Sequence, residues 1–577
     1  MNINQHSFAN NPVGVERPRS TFARNSTHRT TLNAGGLVPF YLDEVLPGDT
    51  FDVSTSLVCR MTTPITPVMD DCYLDVYYFF VPHRLVWDHW KEFNGENTDS
   101  AWVSDVEYIV PNLIFSTYDI QEYNVGSIFD YLGLPINRTN ATNEFYENNI
   151  SALPYRSYKL VWNEWFRDQN LQDPVFINKS DSADNVSFND YSANYVPNLG
   201  VLPVCKFHDY FTSALPGPLK SRDPVKVPIG NVPIVTGPDN PNISASNSGL
   251  DALRFEFTNN MVQASNGVHL RATHPGVGDD NVGSTVGWAE LDGAGTSVGW
   301  AVPKNLYTDN GGVISVNDLR LAFQTQRYYE ALARGGSRYN EIILSLFGVH
   351  VPDATVQRPE YLGGQRVNIR LNEVVQQSMS YDGSDGFSPL GTVAAYSKTT
   401  DRSHSFVKSF SEHGYVLGVC CIRPNHSYSN GINKLWTRKN RFDFYIPQFA
   451  HLGEQPIYNY EIYNSLTPNL YDTNVGFINE VFGYQEAWAE YRFKPSTNSG
   501  YFRPGVPNGL SYWHYGDFYT SQPVLSAEWI AETPNNIDRT LAIDSAEVHQ
   551  FWIDFYVENN TTRVMPMYSV PGLIDHF

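Results

Sequence analysis

A few stretches of the chain carry residue types at spacings that could do chemistry. Gly295-Thr-Ser-Val-Gly299 fits the G-x-S-x-G pattern, in which a serine held on a strand-to-helix turn attacks a carbonyl. That elbow needs a buried strand before it and a helix after it, whereas here the surroundings are rich in Gly, Ser, Asn and Asp. The match lacks its context. Cys205 and His208 have the C-x-x-H spacing of half a zinc site, but no second pair supplies the remaining ligands. A buried thiol beside a turn histidine is the simpler reading. Glu486 and Glu490, four apart, could be the paired carboxylates of a glycosidase, although like pairs on solvated faces are commonplace. Asp279-Asp280 could meet calcium in a loop, without the EF-hand spacing. Neither the phosphate-cradling G-x-x-x-x-G-K nor the H-E-x-x-H pattern occurs. The sequence therefore predicts no enzyme, with no catalytic, cofactor-binding or metal-ligating residues.

Two basic segments fit nucleic acid better. Lys434-Leu-Trp-Thr-Arg-Lys-Asn-Arg441 interleaves Trp436 with Lys434, Arg438, Lys439 and Arg441, the mixture of charge and stacking surface that single strands use. The same cations would equally suit acids of a neighbouring subunit. Near the amino terminus Arg17, Arg19, Arg24 and Arg29 stand against one acid, Glu16, in an apolar-poor stretch. It reads either as a solvated tail or as an arm lying against phosphate. The formal net charge of −22 confines any phosphate contact to such local patches.

The elements that would position these residues are mostly strands. Tyr73–Val81 is crowded with aromatic and β-branched residues, which predicts a strand covered on both faces. Pro82 ends it, and Val86, Trp87, Trp90 and Phe93 follow at helical spacing. Thr50–Met61 alternates, with Phe51, Val53, Thr55, Leu57 and Cys59 on one face, and predicts a half-buried strand paired near Tyr73–Val81. Helices are expected over Tyr155–Arg167, from Ser315 or Asn317 to Gly335 with Leu321, Thr325, Tyr328 and Leu332 as its stripe, and over Tyr339–Phe347. Further strands are expected at Val367–Val375, Thr392–Tyr396, Tyr415–Ile422, Phe442–Ile446 and Val548–Val557. Between Gly217 and Ser315 the chain is rich in Gly, Ser, Asn, Asp and Pro, and so long an excursion reads as a projecting insertion. This arrangement fits a sandwich of antiparallel sheets with enlarged loops.

Composition narrows the function. Aromatic residues make up 14% of the chain, and Tyr at this density suits half-wet contact surfaces between subunits. Five cysteines without a C-x-x-C signal neither a disulfide framework nor a zinc module, and fit a reducing compartment. No apolar run approaches the ~20 residues needed to cross a bilayer, and the first residues lack a secretory core. The expected protein is soluble and self-associating. The rival is a carbohydrate-binding or glycoside-hydrolysing β protein using Glu486 and Glu490.

Seven blocks sharpen this: FYLDEVLPGDTF (40–51), YFFVPHRLVWDHW (78–90), LVWNEWFRDQNLQDP (160–174), HDYFTSALPGP (208–218), RPEYLGGQ (358–365), FAHLGEQPIYNYEIY (449–463) and VFGYQEAWAEYRFKPS (481–496). In order and together they resemble the major capsid proteins of gokushoviruses, small single-stranded DNA bacteriophages of the Microviridae. The likeness is thinnest over residues 237–315. It implies a mainly β fold, an antiparallel eight-stranded jelly-roll barrel of viral capsid type with long loop and helix insertions. By that pattern residues 1–35 are a basic arm and 36–230 carry the first strands with helical insertions. Residues 231–316 form a Gly/Asn-rich protrusion at the threefold axis, and 317–577 supply helices and the remaining strands. The implied role is a T=1 icosahedral shell of identical subunits, assembled in the host cytoplasm and residing in the virion. The implied partners are packaged single-stranded DNA, a small internal DNA-binding protein, scaffolding and pilot proteins, and a bacterial surface receptor met by the protrusion. No cofactor is implied. A shell has an inner face with a genome behind it, which strengthens the arm reading of Arg17 to Arg29.

Overall fold

The strand predicted to be buried on both faces is Cys72–Pro82, and it lies inside a two-layer β structure. A computed structural model describes residues 18–98, 106–115, 125–135, 150–186, 201–221, 225, 316–375, 377, 393–463 and 480–568, and only the strands within 234–308 and 381–387. The chain divides into two compact units, Met1–Lys220 with Glu330–Phe577, and Ser221–Tyr329.

The larger unit is built on β1 (Ser20–Ala23), β2 (Ser26–Leu32), β3 (Val38–Val45), β4 (Thr50–Met61), β5 (Cys72–Pro82), β6 (Glu360–Asn368), β7 (Thr399–Ser409), β8 (Gly414–Pro424) and β9 (Phe551–Arg563). One sheet runs β1–β9–β4–β7, with β2 also on β9, and the other runs β6–β5–β8–β3. Every pairing in both is antiparallel. The protein is thus mainly β with minor helices, and no sheet closes into a barrel among the described residues.

The two sheets meet face to face. Phe40 of β3 stacks on Phe555 of β9 with centroids 4.2 Å apart, and Thr55 Oγ1 of β4 lies 2.7 Å from the Tyr78 hydroxyl of β5. This corrects the expectation that β4 pairs edge to edge with β5. An alternating strand has one wet face and fits an outer sheet, whereas β5 needs a layer on each side. Its second layer is α1 (Leu153–Val161) with the π turn Trp162–Phe166, which together with Val86 and Trp87 cover Phe79, Val81, Leu417 and Val419. The π turn closes where Arg167 N–H donates to Trp162 O.

Other departures have local causes. After Pro82 a 3₁₀ turn, His83–Leu85, and a short helix, Trp90–Phe93, replace a continuous helix, because Asp88 N–H donates outward to Lys179 O. Phe442–Ile446 is not a strand: a 3₁₀ turn covers Arg441–Asp443, with the Asp443 carboxylate accepting from Lys439 and Asn440 N–H. The last strand begins at Phe551 and runs on to Arg563.

Within residues 1–35, expected as a basic arm, Ser20–Ala23 and Ser26–Leu32 are strands. These residues form β1 and β2 in one register against β9, from Ser20 opposite Arg563 to Leu32 opposite Phe551. The run reads as polar because it is an edge strand with a wet outer face. α2 (Val316–Gly335) leaves Leu321 and Tyr328 of its expected stripe exposed, and α3 (Tyr339–Phe347) ends at Gly348 in the left-handed region. In the smaller unit Phe255–Phe257, Leu270–Thr273, Gly287–Leu291 and Ser297–Pro303 form one antiparallel sheet.

Candidate functional site

None of the sequence's chemical candidates assembles into a reaction centre. Ser297 opens a hairpin strand opposite Leu291, and the next described element is another strand, Leu306–Thr308, so the strand–serine–helix order of a nucleophile elbow is not what the described residues show. The Cys205 thiol donates weakly to Phe166 O and Gln172 Oε1, at 3.5 and 3.4 Å. Burial pushes that thiol up to about 12, which keeps it protonated and a poor ligand. No group of three His, Cys, Asp or Glu side chains placed to hold a metal exists among the described residues. Asp279-Asp280 lie outside them.

The paired glutamates are each held by arginine. Glu486 ends the strand Val481–Glu486 and pairs with Arg492 and, at 3.5 Å, with Arg334. Glu490 sits on the turn Ala489–Tyr491, 3.1 Å from Arg438.

The basic segments divide into held and open cations. Arg24 makes a bidentate pair with Asp43, at 2.7 and 2.6 Å, and Arg438 is largely buried between Glu490 and the Tyr491 ring, 4.4 Å from its centroid. Arg29 pairs with Asp554 at 3.1 Å but stays exposed, and Arg19 is exposed too. Arg17 lies outside the described residues. Lys439 and Arg441 are exposed, Lys434 is half-buried, and the Trp436 indole is 78% exposed. Leu435, Phe442, Phe444 and Tyr445 are exposed beside them, so the segment is as apolar as it is basic. The amino-terminal and 434–441 cations stand on separate elements.

Sequence reasoning missed a buried charge cluster. His426, just past β8, is held between Asp517 Oδ1 at 3.0 Å and Glu532 Oε2 at 2.7 Å. Lys206 Nζ lies 3.6 Å from Asp517 Oδ2, which also accepts from the Tyr519 hydroxyl, while Asn536 donates to Oδ1. Burial alone would lower the imidazole, yet Glu532 and Asp517 override it and raise His426 to about 10. Burial would likewise raise the Asp517 carboxyl, but His426 and Lys206 hold it well below the usual carboxylate range. The cluster ties Lys206, β8 and the segment 517–536 into one body; with each acid matched by a cation, it is structural. No spacing motif marks it, because the partners lie 91 and 106 residues from His426.

Comparison with known proteins decides the family. Residues 13–573 match the family model described as capsid protein (F protein). The chain belongs to the phage F capsid protein family. It is 38% identical over 614 residues to capsid protein VP1 of Chlamydia phage 1, covering 99% of this chain and 98% of that protein. Capsid protein VP1 of Bdellovibrio phage phiMH2K is 37% identical over 590 residues, covering 100% and 99%. Capsid protein VP1 of Spiroplasma virus 4 is 35% identical over 571 residues, covering 97% and 96%. These are gokushoviruses, so the resemblance carried by the seven blocks is borne out. Phage capsid proteins of this family are structural, which sets aside the glycosidase reading and places the chain in the virion as part of a shell of subunits. No described helix is long and apolar enough to cross a membrane.

Proposed function

We propose that this capsid protein closes a T=1 icosahedral shell around a single-stranded DNA genome, with one eight-stranded jelly roll per subunit. Counting β1 and β2 as one strand, the pairs first with eighth, second with seventh, third with sixth and fourth with fifth are all hydrogen-bonded. A long antiparallel hairpin rolled upon itself gives that pairing, which supports the jelly-roll reading. The observation that carries self-assembly is the aromatic surface left bare on one chain. Phe347 and Trp436 are 75% and 78% exposed, and Tyr339, Phe442, Phe444 and Tyr501 are exposed with them. Aromatic rings of this kind form the buried centres of interfaces between copies, and closed symmetry multiplies each contact.

The DNA contact then falls to Arg17, which lies outside the described residues, to Arg19 and Arg29, both exposed, and to Lys434, Trp436, Lys439 and Arg441 in the second segment. Arg24 and Arg438 contribute less, being held by acids of their own chain. A small internal DNA-binding protein supplies the cations that a subunit of net charge −22 lacks. Residues 231–316 form the protrusion at the threefold axis and meet a bacterial surface receptor. Assembly takes place in the host cytoplasm with scaffolding and pilot proteins. Negative-stain imaging of purified protein tests this: closed isometric particles are expected, and monomers alone under conditions where virions form would overturn it.

A further inference from the structure

An amphipathic helix normally turns its apolar side to its own chain, and α3 (Tyr339–Phe347) does the reverse. Its polar side is the held one. The Glu341 carboxylate accepts from Arg338 at 3.1 Å and from Gln169 Nε2 at 2.6 Å, and Ser345 lies so close to Gly335, at the end of α2, that a methyl group there would meet it. Arg338 also donates to Asn163 O and Arg167 O, which fixes the start of the helix on the π turn. On the opposite side Tyr339, Ile343 and Phe347 follow at steps of four and form one ridge along the helix. Tyr339 and Phe347 are 70% and 75% exposed, Leu344 beside them is exposed too, and no residue of α3 is buried. A ridge this apolar, on a helix anchored by its other face, marks a contact that the described residues do not supply.

The ridge is its own complement. Turned end for end about a twofold axis at Ile343, Tyr339 of one copy meets Phe347 of the other and Ile343 meets itself, the self-matching that a twofold contact demands. The antiparallel arrangement matches in charge as well. The last turn of α3 has no basic residue to offset its carbonyls, and the pairing sets them beside the start of the other copy's helix, where the backbone N–H groups point outward. We propose that two copies of this chain pack α3 against α3, antiparallel, across the twofold axes of the shell. The inference rests on the reading that the subunits close an icosahedral shell, and it names the contact at one class of its axes. A nine-residue helix is ~13 Å long and covers less than the ~800 Å² per partner that a stable dimer buries. The contact therefore forms only where neighbouring contacts already hold the copies in place, and unassembled subunits do not dimerise through it.

The test places cysteines on α3 in the full chain. Facing helices pack ~8–10 Å apart, so cysteines that face each other at the axis come within disulfide reach. Particles of Ile343→Cys, oxidised and run on a denaturing gel without reductant, should move most of the subunit band to twice its mass. Wild-type particles, whose five cysteines are buried or partly buried, should not. Tyr339→Cys or Phe347→Cys alone should give little dimer, and the two together should give dimer again. Ile343→Asp sets like charges against each other at the axis and should abolish closed particles, with the urea midpoint of the unassembled subunit nearly unchanged. Closed Ile343→Cys particles without a dimer band overturn this inference and leave the shell reading standing. So does a ladder from the double variant that reaches trimer or pentamer, or closed particles of Ile343→Asp. Wild-type protein that closes no isometric shell overturns the shell reading, and this contact with it.

Discussion

Replacing His426 with Leu removes the cation at the centre of the buried cluster and leaves Asp517 and Glu532, 5% and 4% exposed, without their shared donor. Two charge-assisted hydrogen bonds of 3.0 and 2.7 Å are lost, and only Lys206, Tyr519 and Asn536 remain to hold Asp517. Breaking one side of a buried pair typically costs about 3–5 kcal/mol, a large part of the ~5–15 kcal/mol that stabilises a domain. The pH dependence follows from the raised imidazole. In the unfolded chain His426 titrates near its ordinary value of 6.5, and in the folded protein near 10. Its contribution is therefore fully present below pH ~6.5 and is lost as pH rises through ~10, with a slope of at most about 1.4 kcal/mol per pH unit. Urea unfolding of subunits released from particles, followed by tryptophan fluorescence between pH 6 and pH 10.5, measures both effects. The variant should show a lower midpoint at pH 6 and a shallower decline toward alkaline pH. A midpoint within experimental error of wild type, or an unchanged alkaline slope, would refute the cluster as a stabilising device.

Arg156 is fully buried and donates to Asp184 and to the carbonyls of Val86, Ser180 and Ser182; Arg156→Met should lower subunit stability by about 3–5 kcal/mol in the same denaturant assay. Gly35 sits at φ +86, where a methyl group on its Cα would lie only 2.2 Å from Glu532 O, so Gly35→Ala should cost about 2 kcal/mol or more, read as a drop in the thermal midpoint. Glu486→Gln removes only partly exposed pairs and should shift stability by less than about 1 kcal/mol. Glu490→Gln strips the more enclosed Arg438 of its partner and should cost more. Neither should stop particle formation, and a glycan-cleaving activity abolished by either would contradict the structural role.

How far the sequence reaches shows in particular elements. The aromatic run at 73–81 and the alternation at 50–61 announced two strands and their burial, because side-chain period reports burial directly. The stretch Ser20–Leu32 escaped, since a polar edge strand carries too little apolar signal to separate it from a tail. Among the site residues, composition located the cations of both basic segments but not which of them are already engaged. Arg24 and Arg29 look alike in the sequence, and only the fold brings Asp43 against one and leaves the other on an open face.

The amino-acid sequence by itself determined the β character and the surplus of aromatic residues suited to contact surface, both of which follow from residue type and short-range period. The tertiary structure alone decided that β4 faces β5 across the sandwich and that His426 gathers acids from more than ninety residues away. The physical reason is that burial is encoded locally, whereas strand partners and ion pairs are fixed by packing between segments hundreds of residues apart, where spacing along the chain carries no information.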